Sequence, residues 1–131
     1  MSVQKLSAGQ LRKIDEIQEM LRTVAHVKTL VAELESNRAA RAVIIENICS
    51  AIGREMSQMR QRTLTSPVGT VGDIAGALSV MAGRGGGINL KIRGLNDGVA
   101  SLTMQLELAL KVAMTPQAAK EAEKPKGPAA G

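Results

Sequence analysis

A chain of 131 residues has room for one domain and a tail, and its balance of 44% hydrophobic to 22% charged residues excludes a wholly disordered chain. It contains no Phe, Tyr or Trp, which excludes base stacking on aromatic rings and leaves the core to Leu, Ile, Val, Ala and seven Met. The net charge of +5 is spread thinly, since residues 1–62 hold ten Lys or Arg against seven acids, residues 63–114 four against three and residues 115–131 three against two.

Ser7 with Gln10 three residues on is a capping-box signature, flanked by Leu6 and Leu11 at the spacing of a hydrophobic staple. A helix is therefore expected to start near Ala8. Ile14, Ile17, Leu21, Val24, Val27, Val31 and Leu34 then recur at steps of three and four, and Val43, Ile44, Ile45, Ile48, Ile52, Met56 and Met59 resume the pattern. Between the two runs Glu35, Ser36, Asn37 and Arg38 are polar. With no Gly or Pro to force a reversal there, one continuous helix over 8–62 is favoured, about 80 Å long at ~1.5 Å per residue, and a hairpin at 36–37 is the alternative. Arg38 and Arg41 fall close to seam positions and, with Glu35 and Asn37, form a candidate polar register or partner patch; a simple kink or an exposed stretch is the plainer reading.

Thr63 to Gly69, which includes Pro67, ends the element. A short helix over 70–82 is expected next, where Gly72 and Gly76, with Ala75, Ser79 and Gly83, suit close packing of backbones. Gly83 to Gly87 reads as a link. It lacks the Lys and Ser or Thr of a phosphate loop, because Ile88, Asn89 and Leu90 follow. A heptad helix over 89–114 then carries Ile92, Leu95, Val99, Leu102, Leu106, Ala109 and Ala113 at a and d, with Met104, Leu108 and Val112 widening its apolar face. Gly94 and Gly98 are expected to delay its regular part until about Asp97. Residues 115–131, rich in Ala, Lys, Glu, Pro and Gly, read as a disordered tail behind a single domain of residues 1–114.

No catalytic, cofactor or metal site emerges. His26 is the only histidine, and Asp15, Glu16 and Glu19 alternate with Arg12, Lys13 and Arg22 as on a solvated face. Cys49 is the only cysteine and stands in an apolar stretch, so it reads as a buried thiol. The first residues lack a basic-then-apolar leader pattern, and no apolar run approaches the ~18 residues of a membrane span. The cytoplasm is the expected compartment and a membrane partner is not expected.

These features specify an all-α fold, a helical bundle or coiled-coil assembly. Amphipathic faces need covering, so the expected function is that of a non-enzymatic structural or adaptor protein that forms homo-oligomers and contacts another protein. Its expected interface comprises Ile14, Ile17, Leu21, Val24, Ile45, Ile48, Ile52, Ile92, Leu95, Val99, Leu102 and Leu106. The alternative is a basic DNA- or RNA-binding accessory protein, dimerising through the last helix, with Arg54, Arg60 and Arg62 on the nucleic acid. A coat on a lipid or polymer surface is a third reading, weakened by the lack of Trp and Phe. In general plan, helix, flexible link and helix without aromatics, the chain resembles flagellar rod and type III secretion inner-rod subunits; the likeness assigns no residue.

Overall fold

A computed structural model describes residues 6–116, and these form an all-helical bundle. The expected tail lies, from residue 117 on, outside the described residues. Four helices follow one another: α1 (Ala8–Ser36), α2 (Ala42–Thr65), α3 (Val71–Gly83) and α4 (Ile88–Ala113).

The capping box forms as the sequence specifies. Gln10 N–H donates to Ser7 Oγ at 3.1 Å and Ser7 N–H to Gln10 Oε1 at 2.9 Å, satisfying two of the donors a helix start leaves free. Of the two staple residues, Leu6 packs on the core and Leu11 is half exposed. Gln10 Nε2 also donates to Thr115 O at 2.7 Å, which ties the start of α1 to the end of α4.

The continuous helix over 8–62 does not form. Its polar interruption is a corner, residues 37–41, that turns α2 back along α1. Asn37 closes α1 with its backbone N–H on Glu33 O and Leu34 O and its Nδ2 on Glu33 O at 2.8 Å. Ala40 N–H then returns to Asn37 O at 2.8 Å, and Arg41 is extended as the first residue outside α2. A short amide side chain competes with the helix for backbone partners, and the reversal lets two apolar stripes meet. That gain outweighs the local preference of Ala39 and Ala40 for continuing the helix.

The other connections are as short. At Pro67–Thr70 the chain turns through Gly69, whose positive φ of 48° a side chain rarely tolerates, and residues 84–87 join α3 to α4 in the open. Lys13 meets Ser66, Arg38 meets Asn89, Thr63 meets Gly72 and Leu78 meets Gly98, so every neighbouring pair is antiparallel. Backbones approach between α1 and α2, α2 and α3, α3 and α4, and α4 and α1, which closes a four-membered cycle. Buried residues from all four helices fill its centre, among them Ile17, Met20, Val27 and Leu34 of α1, Ile52, Met56 and Met59 of α2, Leu78 of α3, and Leu95, Leu102 and Leu106 of α4.

Helix α4 starts at Ile88 and runs regularly through Gly94 and Gly98, contrary to a start near Asp97. Both glycines are sites of close approach. A Cβ at Gly94 would stand 2.6 Å from Met81 Sδ, and one at Gly98 2.3 Å from Leu78 Cδ2. Glycine here lets α3 lie close on α4, and the packing gained offsets its low helix propensity.

Candidate interaction surface

The residues expected to meet other copies are used within one chain. Ile14, Ile17, Val24, Ile52, Ile92, Leu95, Val99, Leu102 and Leu106 are buried in the chain's own core, and Leu21, Ile45 and Ile48 are half-buried against it. The reversal at residues 37–41 is the reason: it brings the stripes of α1 and α2 together, and α4 closes on α1. A face already covered this way is not free to hold a second chain.

The polar patch is the corner itself. Asn37 is the α1 cap, and Arg41 is the exposed residue preceding α2. Arg38 reaches Asn89 Oδ1 at 3.0 Å and Glu35 Oε2 at 3.9 Å, joining the corner to the start of α4. No buried polar layer results, because the patch lies beyond the helix end and not within a seam.

Arg54, Arg60 and Arg62 are exposed and diverge, as positions turning about 100° per residue must when spaced by six and two. The stem of Arg60 lies over Gly76 of α3, and Arg62 borders a recess of about 260 Å3 with Glu16 and Glu19 of α1. Glu19 there is held below the ordinary carboxylate range by its hydrogen bond and charge pairing with Arg22, 2.6 Å away.

A polar cluster beside this recess fastens α1 to the end of α2. Lys13 Nζ donates to Ser66 Oγ at 3.0 Å and to Pro67 O at 2.9 Å, and the Ser66 hydroxyl donates to Glu16. The cation stands where the C-terminal end of α2 carries unsatisfied carbonyls, so this geometry is a latch. Replacing Lys13 by Ala is expected to lower stability by about 1–2 kcal/mol through loss of these bonds, read from chemical denaturation, while helix content stays the same.

A surface that periodicity alone did not single out lies on the back of α4. Met104, Leu108 and Val112 stand four residues apart and are 57%, 58% and 60% exposed, whereas Leu102 and Leu106 on the opposite side are fully buried. Among the described residues only α4 carries three exposed large apolar side chains on one such row. The row was visible as apolar spacing, but it reads as a widening of the core face until the number of neighbours is known. Helix α4 has two, α1 and α3, and neither covers this side. Near its end the row opens into a groove of about 430 Å3 that Leu108 and Val112 share with Lys13, Pro67 and Val68.

The row has unlike borders. Ser101 and Gln105 lie three residues before Met104 and Leu108, on the side of α3, and Gln105 Oε1 accepts from Thr70 Oγ1 at 2.7 Å and from Thr70 N–H at 3.3 Å. Glu107 and Lys111 lie three residues after and are exposed.

Among the described residues no group of three or more His, Cys, Asp or Glu could hold a metal ion, and no helix is long and apolar enough to cross a membrane. His26 is exposed on α1, and the buried Cys49 has Lys91 Nζ at 4.0 Å. No family model, characterised protein or solved structure matches this chain.

Proposed function

We propose that this chain is a non-enzymatic interaction module: a four-helix bundle that folds by itself, associates with further copies through the outer face of α4, and presents the resulting assembly to another protein. The observation that carries the proposal is the exposed row Met104, Leu108 and Val112. A contiguous apolar strip on the outer side of a helix is a site of contact, because leaving it in water costs about 25 cal/mol per Å2 of apolar surface. Three side chains make a small contact, so the association is weak and reversible rather than obligate. A cytoplasmic setting belongs to the proposal.

The nucleic-acid reading draws no support from Arg54, Arg60 and Arg62, which point to three sides of α2. Chromatography with light scattering over a wide concentration range tests the proposal. The wild type is expected to move from monomer toward dimer as concentration rises, and Leu108→Glu to stay monomeric with stability changed by no more than about 0.5 kcal/mol, as for an exposed site. A Leu108→Glu chain that dimerises like the wild type would overturn the proposal.

A further inference from the structure

The outer face of α4 is self-complementary in one orientation only. The row Met104, Leu108, Val112 is the kind of i, i+4 ridge that packs against the same ridge of a second helix. Reversing the second helix about Leu108 sets Leu108 on its own counterpart and Met104 over Val112, because residues 104 and 112 are equally distant from 108. A reversed pair also sets like borders together. Lys111 of one copy then falls beside Glu107 of the other, twice, and among the described residues neither side chain takes part in an ion pair within its own chain. In a parallel pair of the same register Glu107 would instead fall beside the uncharged Gln105, already engaged by Thr70, and Lys111 beside Ala109 and Val112.

Resting on the self-association proposed above, we infer that the occupant of this face is a second copy of the chain, docked antiparallel, α4 on α4 about Leu108, with reciprocal Glu107 and Lys111 pairs. The geometry also brings Met104 of the second copy to the Val112 end of the row, where the groove floored by Pro67 and Val68 opens. Methionine, long and unbranched, suits such an irregular recess.

Two measurements on the full chain test the orientation. The first uses Met104→Cys and Val112→Cys, each in a Cys49→Ala background that removes the native thiol. In the antiparallel pair the two copies of position 104 are about 12 Å apart along the axis, beyond the ~7 Å between Cα atoms that a disulfide tolerates. Mild oxidation of a mixture is therefore expected to give the mixed 104–112 dimer in large excess over either homodimer. In the second, Glu107→Lys and Lys111→Glu are each expected to weaken the dimer about 5-fold, and the double variant to restore it, as exchanging both charges recreates the pairs. Ready 104–104 disulfides, or a double variant as weak as the singles, would overturn the antiparallel docking while the chain still dimerised. A wild type that stays monomeric at every concentration would remove the underlying self-association and the docking with it.

Discussion

Leu102→Asp is expected to unfold the chain rather than to release folded monomers. Leu102 is fully buried at the centre of the bundle, between the α1 and α3 sides of α4. The substitution removes an aliphatic side chain, at about 2–5 kcal/mol, and places a carboxylate among Leu, Ile and Met with no partner, at a few kcal/mol more. A domain of this size has a total stability of about 5–15 kcal/mol, so most or all of it is lost. Circular dichroism at 25 °C should show the helical signal largely gone. The same substitution at Leu108, six residues along the same helix, should leave the signal and the melting temperature intact and remove only association. A folded, monomeric Leu102→Asp chain would mean that the heptad face of α4 lies outside the bundle.

Gly98→Val is the second large effect. Its Cβ would meet Leu78 Cδ2 at 2.3 Å and Cγ at 2.9 Å, and Leu78 is itself buried, so α3 and α4 must separate. Overpacking of this kind costs about 1–3 kcal/mol, more than the several tenths of a kcal/mol that removing a helical glycine returns. Urea denaturation should show the midpoint falling accordingly. Gly94→Ala is a milder contrast, because the atoms in its way belong to the far end of Met81, a half-buried and flexible side chain. A Gly98→Val protein as stable as the wild type would show that the short helix does not press on α4.

Most of the helical content was legible in the order of residues. The capping box at Ser7 and Gln10, the stop before Pro67, the small-residue helix and the seam from Ile92 to Leu106 all carry local chemical signals, and each appears in place. The break at residues 37–41 was legible only as the alternative to one continuous helix, for a physical reason. Glu35 to Arg38 can form another exposed helical turn as readily as a corner, and the choice is made by tertiary burial of two stripes that no local window contains. The same limit explains the exposed row on α4. Periodicity places Met104, Leu108 and Val112 on one side of a helix, but the closure of the bundle by α1 and α3 decides that this side faces water. Conversely, Leu102 and Leu106 read equally well as a seam between chains or within one. The resolution lies in chain reversal, which places those side chains in the core of one chain and leaves a smaller apolar row exposed on α4.

The methionine methyl groups report most directly on the claim that each chain folds by itself and then associates through the back of α4. Met20, Met56 and Met59 are buried in the core, and Met104 lies in the exposed row. NMR of methyl-labelled methionine over a dilution series is expected to show the Met104 resonance moving with concentration, while those of Met20, Met56 and Met59 keep their dispersed, concentration-independent positions. Collapse of the three core resonances toward unfolded positions on dilution, or a Met104 resonance that does not move, would contradict the account.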